Sequence, residues 1–186
     1  MPKRAKRAVA AAPAVASPQA NEAVVPLEGE DFDALCEMLD NGGFWARLSD
    51  GEPDNGKEAR KFVHKHGTGW INALHPFRDD VLMTPLARAC DDSDEWRTIS
   101  VLLDFGADPN ICDSNGMPPL FEMVASGCAR LRSIHLMLDA GASPLAEYNG
   151  CTVAHVAKEL ALDNDSDNGE LCKMVWEAIE VNKFLN

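Results

Sequence analysis

The sequence predicts an all-α fold, a solenoid of stacked helix-turn-helix units with hairpin loops between them, and three observations predict it. Apolar residues recur at i, i+3 and i+4 in Ile99-Leu102-Leu103, Ile134-Met137-Leu138 and Leu35-Met38-Leu39, the spacing that lines one helical face. Three residues after each comes a glycine, Gly106, Gly141 and Gly42, placed as a helix stop. Helix starts at Thr84-Pro85-Leu86, Pro118-Pro119-Leu120 and Thr152-Val153-Ala154 are spaced by 34 and 34 residues, and Gly106 and Gly141 by 35. A unit of that size cannot bury its apolar face alone, so successive units must stack.

Residues 1–26 read as a solvated tail. Lys3, Arg4, Lys6 and Arg7 open it, and Ala8 to Ala20 is almost all Ala, Pro, Val and Ser. Such small side chains bury too little area to offset the entropy of ordering. Lys3-Arg4-Ala5-Lys6 fits a short nuclear-localisation pattern, and the acid-poor start fits an organelle presequence. Both patterns arise often by chance, and prolines interrupt any run resembling a secretory signal.

Residues 27–83 form a degenerate N-terminal capping repeat. A helix is expected near 30–41, a loop through Pro53, Asp54, Asn55 and Gly56, a second helix near 57–66, and a long hairpin from Gly67 to Met83. The Leu35 pattern is that of a unit's second helix, although its place in the chain makes it the first. Residues 84–186 divide into repeats at 84–117, 118–151 and 152–186. Thr84 and Thr152 are the hydroxyl residues that cap helix starts, and proline is tolerated at a first helical position. A fourth copy of the apolar spacing, Leu171-Met174-Val175, lacks the glycine stop. Acidic runs separate the helices of the first and last repeats, Asp91 to Glu95 and Asp163 to Asp167.

A period near 33 residues, a T-P-L-H-x-A helix start and a second helix ending in L-L-x-x-G-A together resemble the ankyrin-repeat family, over about residues 67–180. Gly106-Ala107-Asp108-Pro109-Asn110 is similar to that family's G-A-D-x-N, and Ile71-Asn72 stands in the place of its x-N. Asp113-Ser114-Asn115-Gly116 and Tyr148-Asn149-Gly150 look like the turns that precede each new repeat. Pro118 and Phe121 depart from the family's Thr and His. The resemblance implies that His155, at the family's histidine position, hydrogen-bonds neighbouring loop backbone.

The charge is uneven. The whole chain carries −13, but setting aside the four tail cations leaves 13 basic against 30 acidic residues, so residues 21–186 carry −17. Such a body repels a phosphate backbone, arguing against nucleic acid, and steers a basic partner toward itself. Nothing approaches the 18 consecutive apolar residues of a membrane span, so no membrane partner is expected. The six cysteines include no C-x-x-C pair, and several fall at apolar helix positions. Reduced, core-filling thiols and a cytoplasmic setting follow, with a nuclear one if the basic tail is an address.

The chemistry-bearing motifs are missing: no nucleophile elbow, phosphate-binding loop, dinucleotide fingerprint or zinc-protease helix is present. No catalytic residue, cofactor or metal is therefore expected. His64, His66 and His75 with Cys90 lack the tight spacing of zinc ligands, since H-x-H on a helix points its rings about 200° apart. The run Asp163, Asp165, Asp167 lacks a calcium loop's glycine at its sixth position (Asn168) and its acid at the twelfth (Met174).

The function expected is non-catalytic binding of another protein, as an inhibitor or neutraliser of a basic partner. The alternative is a scaffold or regulatory subunit localised by its basic tail. The resemblance implies docking on a concave face of loop tips and first helices. On this chain those positions are Asp79, Asp80, Asp113, Asn115, Tyr148 and Asn149 at the tips and Arg88, Asp91, Phe121, Glu122 and Lys158 on the helices. Phe121 and Tyr148 are the aromatic candidates for interface anchors, against the plainer reading that Phe121 fills space between repeats. A monomer is expected outside the complex.

Overall fold

The computed structural model describes residues 24–41, 57–78, 80–91, 96–126, 131–162 and 169–183. Among them are helices α1 (Glu30–Asn41), α2 (Lys57–His66), α3 (Pro85–Asp91), α4 (Trp96–Asp104), α5 (Pro119–Ala125), α6 (Leu131–Asp139), α7 (Val153–Leu162) and α8 (Gly169–Lys183). Strands β1 (His75–Arg78) and β2 (Val81–Met83) lie between α2 and α3, and β3 (Glu147–Tyr148) and β4 (Cys151–Thr152) between α6 and α7.

Those strands correct the all-α expectation. β1 and β2 pair antiparallel, with His75 opposite Met83 and Arg78 opposite Val81, and β3 and β4 pair Glu147 with Thr152 and Tyr148 with Cys151. The architecture is mixed, helix pairs together with two small antiparallel sheets. A chain that leaves the helical layer and returns has backbone N–H and C=O groups to satisfy, and two arms side by side satisfy them on each other. The reversal between α4 and α5 closes differently. The Asp113 carboxylate accepts the N–H groups of Asn115 and Met117, both at 2.8 Å. Pro109, Pro118 and Pro119 along this stretch have no N–H to offer a ladder.

The helices form two rows. α1, α3, α5 and α7 pack in succession in one, and α2, α4, α6 and α8 in the other. The Leu35 pattern therefore belongs to a first-row helix. Caps recur with the period. Thr84 Oγ1 accepts the Ala87 N–H at 3.1 Å, and Thr152 Oγ1 accepts the His155 N–H at 3.1 Å. At the middle unit Pro118 gives no side-chain cap and Pro119 takes the first helical position.

Helix ends recur as well. Gly106 and Gly141 sit at φ of 93° and 90°. The Ala107 N–H reaches back to Leu102 O at 2.9 Å and the Gly106 N–H to Leu103 O at 3.0 Å. Ala142 and Gly141 repeat both bonds to Met137 and Leu138 at 2.9 and 3.0 Å. This pair of bonds satisfies carbonyls the helix leaves open, and it needs a left-handed residue at the glycine.

Between the rows runs one apolar core in which Leu35, Leu86, Ile99, Leu102, Leu120 and Ile134 are fully buried. Burying each side chain of that size stabilises the fold by about 1.5–3 kcal/mol. No helix among the described residues is long and apolar enough to cross a membrane. The basic tail segment Lys3 to Arg7, Gly42, the Pro53 to Gly56 loop, Asp79, Asp92 to Glu95, Cys128 and the Asp163 to Asn168 run lie outside the described residues.

Candidate functional site

Asparagine side chains lock successive loops together beside the first-row helices. Asn72 Nδ2 donates to Gly106 O at 3.1 Å while its Oδ1 accepts the Asp108 N–H at 2.8 Å. One unit later Asn110 Nδ2 donates to Gly141 O at 3.0 Å and its Oδ1 accepts the Ser143 N–H at 2.9 Å. Leu145, 35 residues after Asn110, occupies the next such position and is 53% exposed. Nearer the tips, the Ser114 N–H donates to Leu82 O at 2.8 Å and the Leu82 N–H donates to Ser114 Oγ at 3.0 Å. Each loop is thus braced by its neighbour, which lowers the ordering entropy that any docking partner must overcome.

Behind the first hairpin lies an ion cluster. Arg78, on β1, donates to the Asp91 carboxylate on α3 and stands 4.0 Å from Glu122 on α5. Arg88 approaches Asp91 at 3.8 Å from one turn earlier on α3. The Asp91 hydrogen bond raises the Arg78 pKa above its ordinary value. Burial, then the Asp91 hydrogen bond and charge, push the Glu122 carboxyl above its usual range; Arg78 opposes this and Asp113 adds to it. Arg78, Asp91, Asp113 and Glu122 line a cleft of ≈ 10 Å³, room for about one water. The cluster joins the first hairpin to the helices of two successive units.

The positions expected to bind divide into groups. Arg88, Asp91 and Glu122 come together in the ion cluster and are half-buried. Asp80, Asn115 and Asn149 are exposed at the tips, and Asn149 takes a φ of 51° in a two-residue Asn-Gly turn. Asp113 is instead buried and spends its carboxylate on its own loop. Phe121 is also buried, at 9% exposure, and meets Tyr148 edge-on at 5.3 Å between ring centroids. Tyr148 stays half-exposed, so of the two rings it is the more accessible. Lys158 is exposed on α7, outside the ion cluster. Asp79 lies outside the described residues.

His155 corrects one expectation implied by the resemblance. Its ring is exposed and makes no hydrogen bond to loop backbone among the described residues. The positions one and two periods earlier, Phe121 and Ala87, are covered, Phe121 by the following hairpin through Tyr148. α7 opens the last described helix pair, and among the described residues no hairpin covers His155.

Four participants were not among the candidates. Arg78 organises the ion cluster, and only its place on a long hairpin before α3 hinted at this. Leu82, 44% exposed, and Ser114 form the bridge between hairpin tips. His75 is fully buried and bonded at both ring nitrogens, to the Ala73 carbonyl and the Leu27 N–H, both at 3.0 Å. The sequence had placed it only in an imagined zinc set, and among the described residues no group of three His, Cys, Asp or Glu is placed to hold a metal. No family model and no curated protein matches this chain.

Proposed function

We propose that the chain is a non-catalytic protein-binding repeat protein of the ankyrin type, and that it docks its partner on the hairpin tips and the exposed side of the first-row helices. The observation that carries this reading is the braced loop row. Asn72 and Asn110 make the same pair of bonds one unit apart, and the Leu82–Ser114 bridge ties the first two tips. Bracing turns loops into a rigid platform that presents Asp80, Leu82, Asn115, Tyr148 and Asn149 outward.

The partner is a protein with a basic surface, and the role is that of an inhibitor or neutraliser. The −17 carried by residues 21–186 supports this, because it accelerates encounter with a cationic surface. Arg78 and Arg88 already neutralise much of Asp91 and Glu122, so attraction falls to the exposed acids, Asp80 and Glu147 among them. Cys90, Cys112 and Cys151 form no disulfide among the described residues.

The test is affinity capture from the native host, with full-length chain as bait beside a Leu82→Asp, Tyr148→Ala double variant of unchanged melting temperature. One stoichiometric protein, lost with the variant, agrees with the proposal. Equal capture by both baits places binding elsewhere and sinks it.

A further inference from the structure

The N-terminal segment before α1 is held to the fold by very little, and a buried histidine supplies much of the hold. Residues 24–27 run past the loop after α2, where the Val25 N–H donates to Gly69 O at 3.1 Å. The Leu27 N–H donates to His75 Nε2 at 3.0 Å. Val24 and Val25 are 60% and 58% exposed, so only Leu27, partly buried against the core, adds apolar contact. The segment forms one wall of a cleft of ≈ 390 Å³ whose other walls are His66 and Gly67 to Trp70.

The His75 ring must be neutral to do this. Its Nε2 accepts, so the proton sits on Nδ1, which donates to Ala73 O. Phe32 of α1 stacks on the ring at 5.8 Å, Phe77 of β1 lies at 5.5 Å, and the ring is 0% exposed. A second proton would set an N–H against the Leu27 N–H and place a charge between two phenyl rings with no water to solvate it. Burial already lowers the His75 pKa, opposed only by the Ala73 carbonyl.

The charged and titratable groups on the surrounding elements include Glu28 beside the segment, Glu30, Asp31, Asp33 and Glu37 on α1, Arg78 at the far end of β1, and Lys57, Arg60, Lys61, His64, Lys65 and His66 on α2. The carboxylates are exposed, Asp31 stands 3.6 Å from His66, and Arg78 is bound to Asp91. None of them enters the causes of the His75 shift, and β2 carries no charged side chain.

We propose that residues 24–27 are an acid-released strap: His75 latches them while neutral, and its protonation frees them and opens the cleft beneath. The direction follows from linkage. A histidine whose folded pKa is depressed contributes its full stability above the unfolded value, about 6.5, and loses it as pH falls through that value toward the folded pKa. The latch therefore holds at neutral pH and weakens on acidification.

The experiment is amide hydrogen exchange by NMR on the full chain between about pH 7.5 and about pH 5, corrected for intrinsic exchange. Leu27 protection should fall by up to about tenfold per pH unit below about 6.5, while amides at Ile99 and Ile134 keep theirs. His75→Gln, whose amide can both accept and donate, should hold Leu27 at one protection across the range, and His66→Gln should behave as wild type. The proposal is overturned if wild-type Leu27 protection does not fall, or if His75→Gln keeps the pH dependence. If His75→Gln fails to fold, the wild-type His75 ring nitrogens decide. Titration at the pH where Leu27 is lost supports the latch, and titration at a separate pH overturns it.

Discussion

Replacing Asn110 by alanine removes one complete brace between successive loops. The side chain makes two hydrogen bonds, Nδ2 to Gly141 O at 3.0 Å and Oδ1 from Ser143 N–H at 2.9 Å. Each is worth about 0.5–1.5 kcal/mol net. Asn110 is exposed, so water replaces the lost partners and the lower half of the range applies. The expected loss is about 1–2 kcal/mol, and for a chain of 186 residues this lowers the melting temperature by about 2–8 °C. Thermal unfolding followed by circular dichroism measures it. Asn115→Ala is the control, because Asn115 is equally a loop asparagine but contributes only its backbone N–H to Asp113. Its substitution should fall within about 0.5 kcal/mol of wild type. If Asn110→Ala melts with wild type, or no lower than Asn115→Ala, the loops are not braced as argued.

Other outcomes follow from the same geometry. Gly141→Ala meets no atom within 4 Å, yet it forces an L residue to φ of 90°, so a loss of about 1–2 kcal/mol in chemical denaturation is expected from backbone strain alone. Leu102→Ala empties a fully buried position between the rows and should cost about 2–5 kcal/mol in the same assay. Glu122→Gln should stabilise the fold at pH 7. A carboxyl with a raised folded pKa gives its full stability below its unfolded value, about 4.5, and loses it as pH rises through the folded value. The gain should therefore vanish in unfolding curves taken below about pH 4. Thiol labelling of the native protein should leave Cys90 unmodified, since burial with no exposure pushes its thiol far up, while half-exposed Cys151 reacts.

The helices were legible because burial on one side writes itself into the sequence at i, i+3 and i+4. Ile99, Leu102, Ile134 and Met137 carried that pattern and are all fully buried. The glycine stops were legible because left-handed backbone selects one residue type, and Gly106 and Gly141 both take it. The hairpins were legible but their strand pairing was not: β3 and β4 pair two residues each, too few for alternation to register. At the candidate site the Asn-Gly turn and Asp80 could be read, but the burial of Asp113 could not. Asp113 and Phe121 have the residue types of a binding surface and are buried all the same. What buries Phe121 is Tyr148, a contact across 27 residues that only the stacking of units creates. His75 stayed hidden for a similar reason, its partner Leu27 lying 48 residues earlier in a segment with no pattern of its own.

The central claim is that the hairpin tips and first-row helices form the docking face. Deuterium exchange of the full chain with and without its captured partner tests it most directly. The account predicts new protection at 80–82, 113–116 and 147–150 and along the exposed sides of α3, α5 and α7. Protection confined to α4, α6 and α8, with the tips unchanged, would contradict it.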